Sequence, residues 1–380
     1  MPPYDRGVTD LSQLPLRDSL RGLSPYGAPQ ESVRVAINVN ENPHSVPEQV
    51  ALHIVEEVAR QVPGLNRYPD REFTALREKL AAYLGGGLTA ANIWAANGSN
   101  EIMQQLFQAF AGPGRRVMSF TPTYSMYPLI TKGVDSEWVP VRRHDDFTLS
   151  RELVVEAIER ERPDVTIICT PNNPTGTATP LEVVEAAYDA TDGILIVDEA
   201  YVEFQGPGAS ALSLLEGRPR LVVSRTMSKA FAFAGARVGY FAADPVIADA
   251  VRLVRLPYHL SAITQAAAGA ALDFAPLMLE QVDAIRVQRD RIARGVTALG
   301  YVAAPSAANF VLFDGVPDSH RMFERFLERD ILVRDVGIPG TVRVTAGTTA
   351  ETTLFLDTLA DITDRDGVAP ATLGKAQATR

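Results

Sequence analysis

The sequence predicts an α/β fold, a large domain built on a mostly parallel sheet with helices on both faces and, after it, a smaller α+β domain. Two observations carry that expectation. Short, unbroken apolar runs at residues 165–170, 194–197 and 221–224 alternate with amphipathic stretches of helical length such as 151–159 and 181–190. Strands apolar on both sides are buried on both faces, and alternation with helices makes the sheet parallel. The second observation is that polar clusters follow these runs directly, at 170–176, 198–201 and 226–229. Ligands of open parallel sheets lie beyond the carboxyl ends of the strands. Three clusters at three such ends therefore predict one shared site.

The 380 residues are long for one domain and suit one large unit plus a smaller one. A formal charge of −10 argues against nucleic acid as a partner, and an anionic substrate would need a local basic pocket. The single cysteine, Cys169, excludes internal disulfides and fits a reducing compartment. The five histidines have no metal-type pair spacing, so no metal is expected. No apolar stretch nears the length a bilayer needs, which leads to the expectation of a cytoplasmic protein.

Residues 1–45, with five prolines before position 30, read as an arm lying on other structure. A helix is expected over 47–62. Asp70 is placed to cap the next helix, whose apolar face carries Phe73, Leu76, Leu80 and Leu84. A strand over 93–96 leads through Asn97-Gly98-Ser99-Asn100-Glu101 into a helix with Ile102, Leu106, Phe107 and Phe110 on one side. Such a helix start is either an ordinary cap or an anion site made of unpaired N–H groups. Strands at 116–120 and 136–141 flank a helix beginning near 124–130. One long helical stretch is expected over 266–299, across the end of the large domain (46–280). The small domain (281–365) then holds strand-like pieces at 310–313, 332–334 and 342–345 and a helix at 321–328. Residues 366–380 read as a loose tail.

The candidate chemistry centres on Lys229, which stands among small and apolar residues just past the run 221–224, between Thr226, Ser228 and, further on, Arg237. Gly235 and Gly239 permit close backbone approach. Burial disfavours an ammonium group. Bringing a lysine to neutrality near pH 7 costs roughly 4–5 kcal/mol, so its surroundings must be built for the purpose. A neutral amine suits Schiff-base chemistry, while a surface lysine is the plain alternative. Asp198 ends an apolar strand and wants a cationic partner, such as a protonated pyridine nitrogen, a helix end or a structural ion pair. Tyr201 suits donation to a ring oxygen or core packing. Asn173, fixed between prolines, suits the same oxygen or a simple turn. Tyr124 could stack on a flat ring.

Taken together, Asn40-Glu41-Asn42-Pro43, Asn66-Arg67-Tyr68-Pro69-Asp70, Asn97-Gly98-Ser99-Asn100-Glu101, Pro171-Asn172-Asn173-Pro174-Thr175-Gly176, Asp198-Glu199-Ala200-Tyr201 and Thr226-Met227-Ser228-Lys229-Ala230-Phe231 resemble the fold-type I pyridoxal-phosphate aminotransferases. Ser24-Pro25-Tyr26-Gly27 and Leu256-Pro257-Tyr258-His259-Leu260-Ser261 favour the branch of that family acting on histidinol phosphate. His44, after Asn42-Pro43, departs from the familiar pattern and touches only how the arm packs. The resemblance implies a seven-stranded sheet and pyridoxal 5′-phosphate as cofactor. It implies Lys229 as covalent anchor and proton carrier, Asp198 on the pyridine nitrogen, and Asn173 and Tyr201 on the ring hydroxyl oxygen, with Tyr124 stacked on the ring. Ser99, Asn100, Thr226, Ser228 and Arg237 would receive the cofactor phosphate. Tyr68 would reach the neighbouring subunit's site, which implies a homodimer. Arg334 and Arg343 would hold the substrate phosphate and the carboxylates of 2-oxoglutarate. Tyr26, Tyr124, Tyr258 and Asn100 would wall the imidazole. An aromatic amino-acid aminotransferase and a threonine-phosphate decarboxylase-like lyase share the same segments and are the rival expectations. A non-catalytic binding module is opposed by the intact lysine. A nicotinamide dehydrogenase is opposed by the lack of a G-x-G-x-x-G helix opening.

Overall fold

The computed structural model describes residues 14–22, 27 and 29–369. In chain order these residues form β1 (Val35–Ala36), α1 (Glu48–Gln61), α2 (Thr74–Leu84), β2 (Ile93–Ala96), α3 (Ser99–Phe110), β3 (Arg116–Thr121), α4 (Met126–Gly133) and β4 (Glu137–Arg142). Next come α5 (Arg151–Glu161), β5 (Val165–Cys169), α6 (Leu181–Ala190), β6 (Ile194–Asp198), β7 (Leu221–Thr226), β8 (Gly239–Ala243) and α7 (Pro245–Arg252). The remainder is α8 (Ala262–Leu272), α9 (Ala275–Ala298), β9 (Val302–Ala303), β10 (Phe310–Asp314), α10 (Ser319–Leu327), β11 (Ile331–Leu332), β12 (Thr341–Thr345) and α11 (Thr349–Asp366).

The large sheet has seven strands in the order β2-β8-β7-β6-β5-β3-β4. The five strands from β7 to β4 run parallel, and β8 is antiparallel to both its neighbours. Period-2 alternation sends successive side chains to opposite faces. In β6, Ile194 and Ile196 enter the core on one side, while Leu195 and Val197 enter the core on the other. β7 divides likewise, Val222 against Leu221 and Val223. Both faces are therefore covered, which is why these strands read as unbroken apolar runs.

Register decides where the site lies. Cys169 pairs with Asp198 and Asp198 with Ser224, so β5, β6 and β7 end side by side. Thr226 pairs with Gly239 and Gly239 with Ala96, which brings the entry to β8 and the exit from β2 to the same edge.

The smaller part contains the antiparallel sheet β12-β10-β9 and a parallel pairing of β1 with β11. That pairing carries the arm along the small sheet: Ile37 N–H donates to Leu332, and Thr345 N–H donates to Ile37. The expected single helix over 266–299 is two helices, α8 and α9, bent by 74°. Pro276 in the first turn of α9 explains the break, because proline belongs at a helix start and not in its interior. The boundary expected at 280/281 falls inside the unbroken α9. Among the described residues no single helix is long and apolar enough to cross a membrane, although α8 and α9 as a bent pair match by length and composition. Residues 370–380 of the expected tail lie outside the described residues, while α11 runs to Asp366.

The two-faced burial of β6 yields an expectation for stability. Ile196 is fully buried in the strand that carries Asp198. Ile196→Ala should lower the unfolding free energy by about 2–5 kcal/mol, read from denaturant midpoints with an unchanged slope.

Candidate functional site

A cavity of about 520 Å³ opens at the shared strand edge. β6 delivers Asp198, and β7 with its following turn delivers Thr226, Ser228 and Lys229. The start of α3 delivers Ser99 and Asn100, and the small sheet delivers Arg334 and Arg343. Tyr124, Asn173, Tyr201 and Arg237, also expected from the sequence, line the same cavity.

Asp198 is 4% exposed. Its Oδ2 accepts from the Tyr127 hydroxyl at 2.6 Å, while its Oδ1 is buried and meets no donor among the described residues. Burial pushes its pKa up to about 6, and the Tyr127 hydrogen bond offsets part of that rise. The site thus contains a carboxylate with one oxygen reserved for a cationic or N–H-bearing partner.

Lys229 Nζ donates to the Val39 carbonyl at 3.1 Å. Its pKa is pulled down to about 8, by burial first and then by repulsion from Arg343; Glu41 acts in the opposite sense, and Arg237 adds a smaller lowering. The amine is therefore far closer to its neutral, nucleophilic form at neutral pH than an exposed lysine. The same arm segment also holds the residue's backbone, since Asn42 Nδ2 donates to the carbonyls of Lys229 (3.3 Å) and Ala230 (3.4 Å).

The Tyr201 hydroxyl accepts from Asn40 Nδ2 at 3.0 Å and from Asn173 Nδ2 at 3.4 Å. Asn173 Oδ1 in turn accepts from Arg343 Nη1 at 2.6 Å, and Arg343 Nη2 donates to the Asn38 carbonyl at 2.6 Å. Arg343 also lies over the Phe310 ring, 5.2 Å from its centroid. Arg334 pairs with Arg343 through the backbone on both sides. Toward the described residues the Arg334 guanidinium makes no hydrogen bond or ion pair.

A cradle forms where α3 begins. No side chain caps its first turn, so N–H groups there remain available to an anion. Gly98 has φ +88°, and a Cβ on it would lie 2.4 Å from Arg237 Nη2. A Cβ on Gly239 would lie 2.2 Å from Ser99 N. Only glycine lets Arg237 and the α3 start close on one point. Gly235, by contrast, faces open space, so the close approach expected there does not occur. Thr226 Oγ1 lies 2.9 Å from Ser228 Oγ and 3.1 Å from the Val238 carbonyl, to one of which it donates, so both cavity-lining hydroxyls are held in place. Tyr124 donates to Asn100 Oδ1 at 3.2 Å, and its ring meets Tyr127 edge-on.

Two expected residues stand apart from this cavity. Tyr258 does not line it; its ring stacks on Tyr68, centroids 4.5 Å apart, and Tyr68 is 80% exposed. The positive φ of Tyr258 (60°), in the turn between α7 and α8, directs it to that pairing. Tyr258, expected beside the imidazole, is thus not among the residues lining the cavity within this chain. Tyr26 lies outside the described residues. Sequence reading missed Tyr127 and the structural part played by Asn40. Tyr127 follows Tyr124 by three positions, within the stretch 124–130 read as a helix start, which was the available signal. Asn40 was visible only as part of a turn-rich motif.

The class I and II aminotransferase family model matches residues 33–359. The histidinol-phosphate aminotransferase of Paenarthrobacter aurescens (strain TC1) is 55% identical over 364 residues, covering 95% of this chain and 97% of its own. That of Thermobifida fusca (strain YX) is 51% identical, covering 95% and 99%. Among solved structures, histidinol-phosphate aminotransferase from Sinorhizobium meliloti in complex with pyridoxal-5′-phosphate superposes with a TM-score of 0.83 at 27% identity, over 93% of this chain and 98% of that one.

The raised pKa of Asp198 predicts a pH signature for the cofactor-free protein. The folded chain keeps the Asp198 proton to about pH 6, whereas an unfolded aspartate loses it near 3.8. The folded state thus binds the extra proton between those values, and this group's contribution to stability falls as pH rises from about 4 to about 6. Asp198→Asn should remove about 2 kcal/mol of that pH dependence in urea titrations at pH 4.5 and 7.5. Identical slopes against pH in both proteins would contradict the assignment.

Proposed function

The chain belongs to the class I and II aminotransferases, and we propose that it transfers the amino group of L-histidinol phosphate to 2-oxoglutarate, giving imidazole acetol phosphate and L-glutamate in histidine biosynthesis. The observation that carries this reading is the pairing of a lowered-pKa lysine with a half-satisfied buried carboxylate, in a cavity served by two separate cationic regions.

The residues fit pyridoxal 5′-phosphate. Asp198 Oδ1 is the acceptor a protonated pyridine nitrogen requires. Asn173 and Tyr201 stand where donors to the ring hydroxyl oxygen are needed. Ser99, Asn100, Thr226, Ser228 and Arg237, with the glycine-lined approach, form the phosphate cradle. Tyr124, on the cavity wall, would stack on the ring. When bound, the cofactor supplies an electron sink for the charge left at the substrate Cα. The chain's own work is fourfold. Lys229 Nζ, with its lowered pKa, would hold the cofactor and serve as the base that takes up and returns the substrate Cα proton. Asp198 keeps the ring nitrogen positive. Tyr201 and Asn173 stabilise negative charge at the ring oxygen. The α3 start and Arg237 hold the phosphate, each charge-assisted contact contributing about 1.5–3 kcal/mol.

Two phosphates need two cationic sites. Arg237 lies at the cofactor cradle; Arg334 and Arg343 lie across the cavity's other wall, on the small sheet. Arg343 is already tied to Asn173 and Asn38, which leaves Arg334 with its guanidinium open toward the substrate phosphate. In the second half-reaction the same pair would meet the carboxylates of 2-oxoglutarate. Asn100 and Tyr124 on this chain, with Tyr26 from the arm, would flank the imidazole.

The reading extends to assembly. The exposed Tyr68 suits delivery to the phosphate cradle of a second copy in a homodimer, and Tyr258, stacked on it, would arrive with it. The chain divides into an arm (1–45), a large cofactor domain (46–280), a small domain (281–365) and a tail (366–380), with α9 bridging the two domains. Its place is the cytoplasm.

An amino-donor panel with 2-oxoglutarate tests the substrate. L-Histidinol phosphate should exceed phenylalanine in kcat/KM, and the reverse order would favour the aromatic amino-acid reading. Arg334→Ala should raise KM for histidinol phosphate by roughly 10- to 100-fold, the loss of one charge-assisted contact. Equal losses for an unphosphorylated donor would remove its phosphate role.

A further inference from the structure

We propose that Asn40 is a positioning residue that aims the Tyr201 hydroxyl proton into the cavity, toward the ring oxygen of the cofactor. The inference rests on the role given to Tyr201 above and adds what controls its proton.

A phenolic oxygen donates one proton and accepts on its remaining lone pairs. Tyr201 already accepts two N–H donors, from Asn40 at 3.0 Å and Asn173 at 3.4 Å. With its acceptor positions taken, the O–H must point in the direction left, and the residue lines the cavity. The arrangement works only if both amides present nitrogen, not oxygen, and each is locked from β12. Thr345 Oγ1 donates to Asn40 Oδ1 (3.2 Å) and accepts from Asn40 N (3.0 Å). Arg343 Nη1 donates to Asn173 Oδ1 (2.6 Å). One strand of the small sheet therefore fixes both donors to Tyr201.

Asn40 is built into place. It is 1% exposed, its carbonyl accepts from Asn309 Nδ2 at 3.1 Å, and its φ is +57°, a region asparagine tolerates better than most residues. The titratable groups acting on Tyr201 are Arg343, Tyr124 and Cys169. In its hydrogen bonds to the described residues, the Tyr201 hydroxyl meets two amide nitrogens and no carboxylate.

The test uses the holoenzyme and reads the pH midpoint of the visible absorption band of the cofactor bound to Lys229. A donor at the ring oxygen stabilises its anion, so losing that donor moves the midpoint upward. Tyr201→Phe should raise it by about one pH unit, the size of one hydrogen bond to a charged group. Asn40→Gly, which keeps the positive φ, should shift it the same way and add nothing when combined with Tyr201→Phe. Asn40→Asp keeps the turn and the Thr345 contact but offers Tyr201 an acceptor, so it should raise the midpoint at least as far as Asn40→Gly. It also preserves the test if the glycine variant fails to fold. A midpoint that ignores both Asn40 variants while responding to Tyr201→Phe overturns the proposal, as does an Asn40→Gly shift that persists undiminished alongside Tyr201→Phe. If Tyr201→Phe itself moves nothing, the role of Tyr201 falls and this inference with it.

Discussion

The desolvated carboxylate at the end of β6 is the constraint on which the rest of the site depends. Ending a fully buried strand on an aspartate costs free energy unless something positive or N–H-bearing meets it. Tyr127 satisfies one oxygen and leaves the other waiting. A fully satisfied carboxylate would be a structural feature. A half-satisfied one, opening on a cavity, is what the proposed role of Asp198 requires, since its cost in the free protein would become affinity for a cationic ring nitrogen.

The sheet makes this possible by register. Because Cys169, Asp198 and Ser224 are aligned, and Thr226, Gly239 and Ala96 likewise, groups remote in sequence share one edge without long side chains reaching for each other. Lys229 then follows β7 by three residues, close enough to inherit the sheet's rigidity. The arm closes the arrangement from outside. Residues 38–42 touch Arg343, Lys229, Tyr201 and Thr345 within five positions, so the segment ties the large sheet's amine to the small sheet's guanidinium. This is a physical reason for the small sheet and the large one to hold a common geometry at the cavity.

Much of this was legible in the sequence because the relevant signals are local. The run 181–190 is helical from end to end as read, and the buried parallel strands announce themselves as unbroken apolar runs. The residues of the motifs at 97–101, 170–176, 198–201 and 226–231 do meet in one cavity, since strand ends carry their following loops with them. Signals that require partners were not legible. β8 runs antiparallel at the end of an otherwise parallel series and, short and glycine-led, went unread; so did α7 and α11. The break between α8 and α9 hinges on Pro276, overridden by the apolar periodicity on both sides. Tyr127 is tied to Asp198 by its hydroxyl, a tertiary contact that no local pattern around it announces. The placement of Tyr258 depends on a turn with positive φ, which no residue pattern at that position announces.

The central claim is that Asp198 keeps the cofactor's ring nitrogen protonated inside the protein. The most direct measurement is the ¹⁵N chemical shift of ring-labelled pyridoxal phosphate bound to the wild-type chain and to Asp198→Asn at pH 8. The account predicts a protonated nitrogen in the first and a neutral one in the second. The same shift in both proteins would contradict it.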